Sequence, residues 1–132
     1  MAIMVDTNVI LDVSSQDPIW SEWSREALAR NAGEEFLANA MVYAELCCNA
    51  HSSSEVDSLL DALNIQLSEM PREALFQASK AHLAYRSRGG TRRSGLPDFF
   101  IGAHAQVLGI PILTRDQARY KTYFPEVPLI CP

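Results

Sequence analysis

Four acidic residues lie where the surrounding sequence is apolar. Asp6 follows the run Ala2-Ile3-Met4-Val5, Glu45 sits inside "MVYAELCC", Asp98 inside "LPDFFIGAHA", and Asp116 just beyond "ILT". An isolated carboxylate in a low-dielectric site is disfavoured unless it is paired or holds a metal. If the four converge, unit charges about 4 Å apart repel by about 4 kcal/mol at an effective dielectric of about 20. Such a cluster needs protons or a cation. Hard oxygen donors select Mg2+ or Mn2+, and no His or Cys is placed to favour zinc. A carboxylate-held divalent ion beside a basic surface suggests phosphodiester hydrolysis, in which the ion activates water and screens the phosphate. Taken singly, the acids have plainer readings: Asp6 or Asp116 as a helix N-cap, Asp98 as a first-turn acid. Glu45 is harder to explain away, because Tyr43, Leu46 and Cys47 offer it no cation.

Bringing these side chains together is a task for the elements that carry them. Short strand-like runs alternate with longer helical ones, the pattern of an α/β domain with a mainly parallel sheet of four or five strands flanked by helices on both faces. "AIMV" is the first strand and "DTNVILDVSS" turns into a helix. Asp17 and Pro18 read as N-cap and first position of a helix running to about Asn31 and closed by Gly33. "EFLA" is a second strand, Asn39 caps the helix "AMVYAELCCNA", and Ser52 with Glu55 forms a capping box for "EVDSLLDAL". "NIQLS" is a third strand, and Pro71 opens a long amphipathic helix to about Arg88. The glycines of "GGTRRSG" predict a flexible loop. Pro97 opens "DFFIGAHAQVLG", Pro111 breaks it, "ILT" is a fourth strand and "VPLI" a fifth. Carboxyl ends of parallel strands line one edge of a sheet, where ligand crevices form. Asp6 and Asp116 belong to that edge, and Glu45, about two turns into its helix, can project inward from one side.

A chain of 132 residues with no linker, repeat or low-complexity segment predicts one domain over 1–132, long enough to bury a core without staples. Cys47, Cys48 and Cys131 make an odd count with two adjacent residues, which is neither a disulfide framework nor a zinc chelate. They read as small buried apolar residues of a cytoplasmic protein. No apolar run reaches bilayer length and no basic stretch precedes one at the start, so neither a membrane anchor nor a signal peptide is expected. The net charge of −5 argues at first against a nucleic-acid partner, but the distribution is uneven. Residues 1–79 hold thirteen acids and three bases, residues 80–132 eight bases and three acids. A basic C-terminal portion can form a local positive patch on an acidic protein.

In this order, "VDTNVILD", "VYAEL", "LPDFFIGAHA" and "ILTRD" resemble the PIN domain family, especially the VapC-type ribonuclease toxins of bacterial toxin–antitoxin systems. The resemblance covers nearly the whole chain. It implies that Asp6, Glu45, Asp98 and Asp116 form the acidic metal site, that Thr114 is the hydroxyl residue beside the last acid, and that Thr7 and Asn8 support the site from behind. It further implies a parallel sheet wrapped by helices, a homodimer, RNA as substrate, and a cognate VapB-like antitoxin whose C-terminal segment occupies the active-site groove. Asp6 and Asp98 would be the principal ligands of Mg2+ or Mn2+, with Glu45 and Asp116 acting partly through water. Cleavage of structured RNA (tRNA or rRNA) by metal-activated water would leave a 5′-phosphate and a 3′-hydroxyl.

Arg86, Arg88, Arg92 and Arg93 bracket the Gly89-Gly90 pair and read as phosphate contacts. Arg115 is placed either to reach phosphate or to pair with an acid. Trp20, Trp23 and Ala27 share a helical stripe whose expected role is core packing, with an antitoxin groove as the sharper alternative. His51, His82 and His104 are assigned no catalytic role. A haloacid-dehalogenase-type phosphatase would want a second Asp where Asn8 stands, and a receiver domain wants a lysine on its last strand. The remaining alternatives are a metal-dependent phosphatase and a PIN-like binding module without turnover.

Overall fold

Ile3, Met4 and Val5 are buried in succession, so the first strand is covered on both faces, as a central strand of a parallel sheet must be. The computed structural model of the chain describes residues 1–89 and 95–132. Its elements run β1 (Ala2–Val5), α1 (Thr7–Ser14), α2 (Ser21–Arg30), β2 (Glu35–Ala38), α3 (Ala40–Cys47), α4 (Ser53–Ala62) and β3 (Ile65–Leu67). They continue through α5 (Arg72–Ser87), α6 (Leu96–Leu108), β4 (Ile112–Leu113), α7 (Ala118–Lys121) and β5 (Leu129–Ile130). The five strands pair in the order β3-β2-β1-β4-β5, all parallel. This is the α/β fold expected from the alternation of runs. The chain works outward from β1 to β3 and then jumps back across β1 to β4. The strand order therefore reverses between β1 and β4, where open parallel sheets place their crevice.

Local chemistry explains most boundaries. The Asn39 side chain accepts from the N–H groups of Met41 and Val42 and starts α3. Gly109, at φ +68°, ends α6 in the left-handed conformation that glycine tolerates. At Ser52 the box is split: its hydroxyl accepts from the Glu55 N–H, but the Glu55 carboxylate reaches the N–H of His51 instead. The helix expected from Asp17-Pro18 starts later, at Ser21. Asp17 Oδ1 accepts from the Ile19 and Trp20 N–H groups, both at 2.8 Å, and so closes a separate turn before α2. The short α7 was not anticipated, since four residues carry no readable apolar period. The cysteines also depart from expectation: Cys48 is exposed just beyond α3, and Cys47 and Cys131 are only partly buried. His51 is exposed, while His82 packs against the Phe99 ring at 5.2 Å. His104 is buried between Asn39 and Ser68, with Nδ1 3.3 Å from Asn39 Nδ2.

α6 carries Asp98 and packs against α5 and α7. Its approach to the Phe124 ring depends on Gly102, where an added Cβ would clash with the ring atoms of Phe124. Gly102→Ala is therefore expected to destabilise the protein by about 1–3 kcal/mol through overpacking, despite alanine's better helix propensity. Urea unfolding would measure it, and a more stable variant would mean that Phe124 yields freely. No helix among the described residues is long and apolar enough to cross a membrane.

Candidate active site

Asp6 leaves β1 as the first residue beyond it, and its N–H donates to the Leu113 carbonyl at 2.9 Å, so β4 fixes its backbone. It occupies the N-cap position of α1, yet its carboxylate makes no capping bond. The side chain turns into the sheet edge instead. Oδ2 accepts from Thr114 Oγ1 at 2.8 Å, from the Tyr120 hydroxyl at 2.8 Å and from Asn8 Nδ2 at 3.3 Å. Oδ1 is buried, and no side chain among the described residues donates to it. A carboxylate so arranged has one oxygen held and the other left over. Burial raises the pKa of Asp6, outweighing the Thr114 and Tyr120 hydroxyls and the charge of Arg119.

Thr114 is the hub of this edge. Besides donating to Asp6, its hydroxyl accepts from Asn8 Nδ2 at 3.3 Å and from the Asp116 N–H at 3.1 Å. Thr7 donates to Glu45 Oε1 at 2.7 Å and so orients the acid that projects from α3. Asp98 stands in the first turn of α6, where Oδ2 accepts from the Gly95 N–H at 3.0 Å. The first-turn role is thus one that Asp98 does fill. The other oxygen, Oδ1, faces Arg119 Nη1 at 3.5 Å. Burial raises the pKa of Asp98 to about 6; Arg119 opposes the rise, and the neighbouring charges of Asp6 and Glu45 add to it. Asp116 is half-buried, and its Oδ2 pairs with Arg119 Nε at 3.0 Å.

The four acids therefore share one electrostatic neighbourhood at the β1/β4 switch point. They are not drawn into a closed chelate: among the described residues, no group of three or more Asp, Glu, His or Cys side chains stands ready to clasp an ion. Arg119 lies between Asp98 and Asp116 and supplies positive charge there. The donor set nevertheless suits a hard divalent ion. Its four acids offer carboxylate oxygens, and Oδ1 of Asp6 is a buried acceptor that no side chain among the described residues reaches.

Arg119 and Tyr120 are the residues that the sequence reading misses. Arg119 stands three residues beyond Asp116, a helical spacing that was readable only once α7 was known. The Tyr120 ring is fully buried, and nothing local marks its hydroxyl as a partner of Asp6.

The arginines divide. Arg115 takes the acid-paired option. Its Nε donates to the buried Asp12 at 2.8 Å, Ser24 donates to the same oxygen at 2.9 Å, and its guanidinium stacks over Trp20 at 5.4 Å. Trp20 is thus a platform for Arg115 and not a core residue, while Trp23 is half-buried against the core. Arg86 and Arg88 are exposed at the end of α5, with the Arg88 guanidinium 6.0 Å from the Tyr123 ring. Arg92 and Arg93, and most of the loop expected around them, lie outside the described residues.

A sequence family described as PIN domain matches residues 3–125. No curated relative matches the chain in sequence. Solved structures match its fold over nearly full length. VapBC2 from Rickettsia felis, bound to a DNA fragment from its promoter, superposes with TM-score 0.70 at 19% identity, covering 99% of this chain and 98% of that one. VapBC-1 from nontypeable Haemophilus influenzae gives 0.72 at 16% identity, with the same coverage of 99% and 98%. FitAcB from Neisseria gonorrhoeae gives 0.67 at 19%, covering 97% of this chain and 96% of that one. At these identities the likeness is one of fold.

Proposed function

The chain belongs to the PIN domain family, and on that premise we propose that it is a Mg2+- or Mn2+-dependent endoribonuclease acting as the toxin of a toxin–antitoxin pair. The observation that carries this reading is the buried Asp6 carboxylate at the switch point, with Oδ2 engaged by three side-chain donors and Oδ1 left without one. Asp6 and Asp98 would hold the ion, with Glu45 and Asp116 completing its surroundings. When bound, such an ion lowers the pKa of water and screens the charge of the phosphate. The rest of the work belongs to this chain. Thr114, Tyr120 and Asn8 lock the Asp6 carboxylate in one orientation, and Thr7 does the same for Glu45. Pre-set oxygens need no reorganisation when the substrate arrives.

Structured RNA (tRNA or rRNA) is the proposed substrate, with Arg86, Arg88, Arg92 and Arg93 as phosphate contacts. A VapB-like antitoxin covering the cleft and a homodimer complete the reading. The fold shared with solved toxin–antitoxin proteins supports the first. Phe76 and Leu83, about 60% exposed on α5, support the second.

Purified protein treated with EDTA is expected to lose RNA cleavage, and added Mg2+ or Mn2+ to restore it. The fragments are expected to be substrates for a 5′-phosphate-dependent exonuclease. Cleavage that survives chelation, or fragments ending in 2′,3′-cyclic phosphate, would overturn the proposal.

A further inference from the structure

The acidic cleft has a cation of its own. Arg119 reaches Asp98 Oδ1 with Nη1 at 3.5 Å and Asp116 Oδ2 with Nε at 3.0 Å, joining α6 to the segment after β4. An arginine stays protonated at any working pH, so this contact brings a permanent positive charge to the acids. An ionised Asp98 that is 5% exposed needs a nearby positive charge, and Arg119 provides it. The same two carboxylate oxygens are among those a divalent ion would use. Two cations cannot share them at contact distance without strong mutual repulsion.

We propose that Arg119 is an intrinsic counter-cation that holds Asp98 and Asp116 in the metal-free protein and is displaced from them when the divalent ion enters. The inference rests on the metal reading given above. Its mechanics suit the position. Arg119 sits on the four-residue α7 with its side chain about one-third exposed, and displacement takes the guanidinium outward from the cleft by rotation of that long side chain. Tyr120, the next residue, stays buried with its hydroxyl on Asp6 and anchors α7 meanwhile. A cation thus faces Asp98 and Asp116 both before and after metal entry, and metal affinity is set partly by the ion pairs that must be broken.

Calorimetric titration of the full chain with MnCl2, without RNA, tests this directly. Arg119→Gln is expected to bind Mn2+ about tenfold more tightly than wild type, and Arg119→Lys to fall close to wild type because the competing charge is kept. An arginine with a purely structural role would alter the unfolding midpoint and leave the Mn2+ affinity where it was. Uptake with equal affinity in wild type and Arg119→Gln would overturn this inference while leaving the metal reading intact. No uptake by either protein would remove both. Should the Gln variant fail to fold, the wild-type protein decides. The Arg119 Nε–H resonance, assigned in a 15N-arginine sample, is expected to shift on titration with Mg2+. A resonance that stays put while Mg2+ binds would refute displacement.

Discussion

Asp6→Asn is expected to abolish RNA cleavage, lowering it by about a thousandfold or more, while making the protein more stable at neutral pH. Both halves follow from one carboxylate. Asparagine can place its carbonyl oxygen where Oδ2 now accepts from Thr114 and Tyr120, so the edge of the sheet keeps its hydrogen bonds. Its amide then occupies the place of Oδ1, removing the anionic oxygen proposed to hold the ion. Burial raises the Asp6 pKa, so the folded state retains a proton that the unfolded chain gives up. Such a group costs stability once the pH passes its unfolded value, and substitution by a neutral amide removes that cost. Cleavage assays beside urea unfolding at pH 7 would measure both. A folded variant with full activity would end the assignment of Asp6, and a strongly destabilised one would show that its charge supports the fold.

Asp98 governs the expected pH dependence. With its pKa raised to about 6 in the metal-free protein, protons compete with the ion for Asp98 below that point, and at limiting metal cleavage should fall about tenfold per pH unit on the acid side. The stability of the metal-free protein runs the other way. Between about pH 4, where an ordinary carboxylate ionises, and pH 6, the folded state holds a proton that the unfolded chain has lost. Stability attributable to Asp98 is therefore greatest at low pH and declines through this window, by roughly 1–3 kcal/mol in all. Asp98→Asn keeps an oxygen for the Gly95 N–H and should flatten the decline while removing activity. Equilibrium unfolding of both proteins from pH 4 to 7 checks the sign. A decline equally steep in Asp98→Asn would place its origin elsewhere.

Much of this molecule is written locally. "AIMV", "EFLA" and "ILT" announce strands because runs of apolar side chains are what a sheet covered on both faces requires, and all three pair in parallel as read. Asn39 and Pro71 mark helix starts through backbone chemistry acting over a few residues. Glu45, Asp98 and Asp116 stand out for the same reason, since an acid amid apolar neighbours is visible within a ten-residue window. The misreadings have local causes too: the Asp17 side chain closes a turn with the same bonds that would cap a helix, and four residues of α7 are too few for a period.

By itself, then, the amino-acid order determined the α/β class, the strands and which acids stand amid apolar neighbours, because propensity, capping and burial pattern act between near neighbours. Tertiary structure alone decided which Asp6 oxygen is held, that Tyr120 holds it from 114 positions away, and that Arg119 sits among the acids. It also decided that Arg115 serves Asp12, 103 positions distant, behind the cleft. Such pairings leave no trace in any short window; they exist because β4 returns to lie beside β1, and only that closure brings their atoms within reach.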